Sequence, residues 1–134
     1  MDGSGNVKFD WGDGEHSFRL AMKQLRELQD KTGIGPEALY ERIRSGSWHI
    51  ADLREPIRLG LIGGGMDEVA ASKIMRTYFD DGPYLKHKPA AVTILLSALL
   101  GPPEDKVEQG KAERGREQSE SPSPSISESL APSA

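Results

Sequence analysis

The stretch Asp52-Leu53-Arg54-Glu55-Pro56-Ile57-Arg58-Leu59-Gly60-Leu61-Ile62-Gly63-Gly64-Gly65 governs how the rest of the chain is read. Asp52 and Glu55 have the spacing of a capping-box pair, Ile57, Leu59, Leu61 and Ile62 follow as an apolar run, and three glycines stop it. This predicts a helix starting at Asp52, with Pro56 in an early turn where it removes at most one hydrogen bond. The glycines do not form a phosphate loop. A Walker loop needs Lys and Ser or Thr after its last Gly, whereas Met66-Asp67-Glu68 follows here and its carboxylates would repel phosphate. A dinucleotide fingerprint also fails, because what precedes the glycines reads as helix and not strand. A hinge between two helices is the plain reading of Gly63 to Gly65.

On the N-terminal side, Val7, Phe9 and Trp11 alternate with polar residues, and Phe18 and Leu20 do so after Gly12-Asp13-Gly14. This predicts a β-hairpin, with Asp13-Gly14 supplying positive φ at the connection. A lone hairpin is marginal in water, so its apolar face must rest on helices. Ala21 to Thr32 has helical spacing, with Ala21, Leu25 and Leu28 on one face and Gly33 as the C-terminal cap. Pro36 opens a second helix whose buried stripe is Leu39 and Ile43, ended by Ser45-Gly46. On the other side, Asp67 caps a fourth helix with the stripe Val69, Ala70, Ile74 and Tyr78, extended by Met75 and Phe79. A fifth runs from about Pro89 to Leu100 and is apolar nearly all round.

The fold class that follows is mainly α: an N-terminal β-hairpin packed on a small bundle of about five short helices, with a disordered C-terminal tail. The expected boundaries are a flexible 1–5, a folded 6–101, and a disordered acidic Ser/Pro-rich 102–134. All eight aromatics lie between Phe9 and Tyr84, and the 34 residues after Leu100 contain none. That tail is too polar to offset its ordering entropy.

Composition excludes several functions. There is no Cys among 134 residues, which removes disulfide frameworks, thiolate zinc sites and thiol catalysis. The formal charge is −4, and residues 1–100 carry 13 Lys and Arg against 14 Asp and Glu, so no basic face offers itself to nucleic acid. Lys73 and Arg76 near Glu68, Asp80 and Asp81 make a poor phosphate footprint for a helix-turn-helix, which leaves a DNA-binding module as a weak alternative. His16, His49 and His87 are far apart and lack metal-ligand spacing, and no nucleophile has a matched base. Neither enzyme, cofactor nor metal is implied. Nothing reads as a secretory signal, and the apolar run Ala90 to Leu100 is about half the ~20 residues of a membrane span. A soluble cytoplasmic protein without nucleic-acid or membrane partners is the expectation. Arg54 and Arg58 read as an exposed face with local ion pairing, or as anchors for an acidic partner.

The remaining feature is apolar surplus. The third and fifth helices present more apolar residues than one face each, which fits either a central place in the bundle or cover for a partner. The candidate partner-binding residues are Ile57, Leu61, Ile62, Leu95, Leu96, Leu99 and Leu100. Self-association is compatible with the same pattern.

Several of these segments together resemble one family. Trp11-Gly12-Asp13-Gly14, Phe18-Arg19-Leu20, Leu25-Arg26-Glu27-Leu28-Gln29, Gly46-Ser47-Trp48 and above all Arg54 to Gly65 are similar to the small tail protein of gene transfer agents and siphophage-like prophages. That family is usually classed with the phage tail assembly chaperones. The resemblance covers about residues 5 to 101, and Pro56 departs from it where an aliphatic residue stands in the family. It implies a non-enzymatic assembly factor in the bacterial cytoplasm that binds apolar segments of the tape measure protein by helix-in-groove contact before the tube encloses them. The tail tube protein is a second implied partner. A structural tail component, associated with tube or tail tip and retained in the particle, is the alternative.

Overall fold

The computed structural model describes residues 6–101. Strands β1 (Val7–Trp11) and β2 (Gly14–Phe18) are followed by α1 (Met22–Thr32), α2 (Pro36–Arg44), α3 (Ile50–Gly63) and α4 (Glu68–Tyr78). A 3-10 turn, Leu85–His87, then leads into α5 (Lys88–Leu100). The mainly α class with an N-terminal hairpin and five helices is as expected. The tail, with residues 1–5, lies outside the described residues.

The hairpin is antiparallel, pairing Val7 with Phe18, Phe9 with His16 and Trp11 with Gly14. Its two-residue loop is therefore Gly12-Asp13, one position earlier than Asp13-Gly14. Gly12, at φ 69, supplies the left-handed conformation the tight turn requires. Such a loop closes on a hydrogen-bonded pair, so alternate pairs exchange backbone bonds, and the main chain of Lys8 and Asp10 points away from β2. Side chains alternate with the same period: Val7, Trp11 and Phe18 are buried, while Lys8, Asp10 and Glu15 are exposed.

α3 is the centre of the domain. It packs against α1, α4, α5 and β2, and buries Leu53, Ile57, Leu59 and Leu61 to 1% exposure or less. It begins two residues before the expected start. His49 is the N-cap, and its backbone N–H donates to Asp52 Oδ2 at 2.8 Å, so Asp52 serves from the third helical position. The reason is Arg42 of α2, whose fork donates to both Asp52 oxygens at 2.7 Å and whose Nη2 also reaches the Thr32 carbonyl at 3.2 Å. One buried carboxylate thus joins the end of α1, α2 and the start of α3. Pro56 consequently sits in the second turn rather than the first, buried and still at the cost of one hydrogen bond.

α2 buries Leu39 and Ile43 as expected, whereas α1 and α4 differ from expectation in which face turns inward. In α1, Gln24 is buried with Leu28, because its Oε1 accepts the Ala21 N–H at 3.1 Å and closes the first turn. In α4, Asp67 caps as expected by accepting from the Val69 and Ala70 N–H groups. Its buried stripe is Ala71, Ile74, Met75 and Phe79, one residue round from the expected one, which leaves Val69, Ala70 and Tyr78 exposed.

Candidate interaction surface

The seven apolar candidates divide by burial. Ile57 and Leu95 are fully buried and Leu61 is 1% exposed, so in this fold these three belong to the core. Ile62 and Leu96 are half-buried, while Leu99 and Leu100 are exposed at 38% and 79%. The surplus read from periodicity disappears because α3 has neighbours on every side, and a helix so placed needs apolar residues all round. The other exposed large apolar residues, such as Met22, Ile50, Val69 and Leu85, stand at helix starts or in the 3-10 turn. Singly exposed residues of this kind are ordinary on a protein surface.

The glycine run proves to be a joint, not a hinge. The Arg19 N–H donates to the Gly60 carbonyl at 2.9 Å, bringing the end of α3 onto the chain leaving β2. A Cβ at Gly63 would collide with the Arg19 carbonyl oxygen, and one at Gly64 with the Ser17 carbonyl oxygen. A Cβ at Gly60 would come within 3.2 Å of Ile94. These glycines thus allow backbone-to-backbone contact between helix and hairpin, a requirement that spacing alone does not reveal.

Arg54 and Arg58 are also more than an exposed face. Arg54 donates to Asp80 at 2.8 and 3.2 Å and to Glu55 at 3.1 Å, while Arg58 donates to Glu55 at 2.7 and 3.0 Å and to Glu27 at 3.1 Å. The network runs from beyond the end of α4 across α3 to α1, around the nearly buried Glu55 carboxylate. Hydrogen bonding from Arg54 holds the Asp80 carboxyl below its ordinary range. Both arginines are engaged within the domain rather than poised for an acidic ligand.

A third polar contact is buried between hairpin and α5. Trp11 Nε1 donates to His87 Nδ1 at 3.0 Å, and the imidazole lies 4.7 Å from the Phe79 ring, centroid to centroid. Burial pushes the His87 pKa down, with Lys86 adding to the effect and the Tyr78 backbone opposing it. His16 instead pairs with Asp13 in the turn, at 2.7 Å. Among the described residues no three His, Asp or Glu side chains converge as a metal site. The polar constellations hold elements together, and none sets a nucleophile against a base.

These features define a small hairpin-and-helix module whose polar clusters tie its elements together. Residues 4–101 match the family described as phage tail tube protein, GTA-gp10, and the chain belongs to that family. The match coincides with the described body of the protein, and it is to a family of tail proteins rather than of enzymes. No curated protein and no solved structure matches the chain. The resemblance to gene transfer agent and phage tail proteins therefore holds at the level of the family. No helix among the described residues is long and apolar enough to cross a membrane.

Proposed function

We propose that the protein is a structural component of a gene transfer agent or phage-like tail, associated with the tube and retained in the particle. The observation that supports this reading most is that the match to a tail tube family, residues 4–101, spans the whole described fold. Burial supports it further: Ile57, Leu61 and Leu95, on which cover for a tape measure segment would have rested, lie in the core. Protein quantification in purified particles tests the reading, since a component is present at a fixed copy number.

The transient chaperone of the tape measure protein is the second reading, supported by Leu99 and Leu100, which stand exposed together at the end of α5. Co-expression with the tape measure protein separates the two. A chaperone raises that protein's solubility and is recovered with it, whereas a component leaves its solubility unchanged.

A further inference from the structure

The two edges of the hairpin are treated differently by the rest of the fold. On the β2 side, the outward-facing Ser17 carbonyl lies against Gly64, and the next N–H along the chain that points outward, from Arg19, is bonded to Gly60. The end of α3 therefore covers that edge at Ser17 and Arg19 and leaves only Glu15, next to the turn, with outward main chain that no described backbone group meets. On the β1 side, no described backbone group pairs with the outward main chain of Lys8 and Asp10. An open groove runs beside it, floored by β1 and walled by Lys86 of the 3-10 turn and by Pro89 and Thr93 of α5. Open strand edges are templates for another strand, and proteins usually blunt or cover them.

From this asymmetry we infer that β1 pairs antiparallel with β1 of a second copy of the chain, about a two-fold axis through Phe9, to give a four-stranded sheet. The sequence Val7-Lys8-Phe9-Asp10-Trp11 is complementary to itself in that arrangement. Lys8 lies opposite Asp10 of the other copy and Asp10 opposite its Lys8, so two cross-strand ion pairs form on the solvent face. Backbone phase agrees with charge. Lys8 and Asp10 are the residues whose N–H and C=O point outward, so the two charged pairs are also the two hydrogen-bonded pairs, with four new backbone bonds. Phe9, half-buried in one copy, meets its symmetry mate at the central non-hydrogen-bonded position, where side chains come closest.

The charges also select the register. A slip of two residues in one direction sets Lys8 against Lys8, and in the other Asp10 against Asp10. A slip of one turns the apolar set to the wrong face. Both side chains are exposed, and among the described residues neither has an ion-pair partner that would compete. The contact is isologous and closes at two copies.

Sedimentation equilibrium of the full chain, with Lys8→Asp, Asp10→Lys and the double reversal, tests the inference. The unmodified chain should show a concentration-dependent monomer–dimer equilibrium. Each single reversal places two like-charged pairs across the dyad and should raise the dissociation constant about tenfold or more. The double reversal restores opposite charges and should bring it back to within about threefold of the starting value. Thermal melts by circular dichroism of the four chains should coincide at concentrations where sedimentation shows each to be monomeric, since both side chains are exposed in the single copy. A monomer at every concentration up to about 1 mM, the weak end of the affinity scale, overturns the inference. So does a dimer indifferent to the single reversals, or one that the double reversal fails to restore. None of these measurements depends on whether the protein is retained in particles.

Discussion

Trp11 and His87, 76 residues apart, share a buried hydrogen bond in which the indole Nε1–H donates to imidazole Nδ1 at 3.0 Å. Since Nδ1 accepts, it carries no hydrogen, and the imidazole is the neutral tautomer with its proton on Nε2. The bond ties the end of β1 to the turn that starts α5, and it exists only while His87 is uncharged.

Stability should therefore fall in mild acid. The folded-state pKa of His87 lies below the ordinary 6.5, so above pH 6.5 neither state takes up the proton and the full contribution is present. As pH falls below 6.5, the unfolded chain binds a proton that the folded chain refuses, and stability declines by at most about 1.4 kcal/mol per pH unit until the folded pKa is reached. Asp80, whose pKa is depressed from 3.8, acts by the same sign in a lower window, losing its contribution only as pH falls below about that value. Denaturant unfolding at pH 7.5, 6 and 5 measures the His87 effect. Loss of the slope in His87→Gln supports the assignment, and identical midpoints at all three pH values contradict it.

Gly63→Ala should be the most damaging glycine substitution in the α3 joint. The added methyl meets the Arg19 carbonyl, and backbone on both sides leaves nothing to rotate away, so a cost of about 3 kcal/mol is expected. Gly60→Ala meets the side chains of Ile94 and Phe18 at 3.2 and 3.3 Å, which shift more readily, and should cost about 1 kcal/mol. Chemical denaturation gives the order directly, and an equal or reversed order contradicts the joint.

Two ion pairs offer a contrast set by burial. Asp52 is 1% exposed and holds both the Arg42 fork and the His49 N–H, so Asp52→Ala strands three donors and should lower the melting temperature markedly. Glu41 and Arg44 pair at 2.8 Å on the surface, 54% and 61% exposed, and Glu41→Ala should leave the melt nearly unchanged. Calorimetry of the two variants decides, with similar shifts counting against a structural role for Asp52.

The candidate apolar residues should separate in the same way. Ile57→Ala, at a fully buried site, should cost about 2–5 kcal/mol by leaving a cavity. Leu100→Ser, at a residue 79% exposed, should change stability by no more than about 0.5 kcal/mol. Urea unfolding of each tests the division between core and surface.

Elements with strong local signals were legible in the sequence. Alternation from Val7 to Phe18, Pro36 opening α2, Asp67 capping α4 and Gly33 closing α1 each rest on interactions a few residues apart. What depends on distant partners was not legible. The start of α3 moved to Ile50 because Arg42 claims Asp52. The face of α4 turned by one residue to bring Ala71 inward, and the glycines at 60, 63 and 64 answer to Arg19, Ser17 and Ile94. For the candidate surface, periodicity does not tell a helix surrounded by its own domain from one that covers a partner, so Ile57, Leu61 and Leu95 stand among the candidates although the fold buries them. The open edge of β1 leaves its trace in sequence only as the order of one Lys and one Asp about Phe9.

Retention of the protein in the tail as a structural component can be read from purified particles. Quantitative mass spectrometry of purified particles, referenced to the major tube subunit, tests it most directly. A fixed stoichiometric ratio, unchanged by further purification, is the expected result. Absence from particles, or a ratio that falls with each purification step while the protein stays abundant in the lysate, would contradict it.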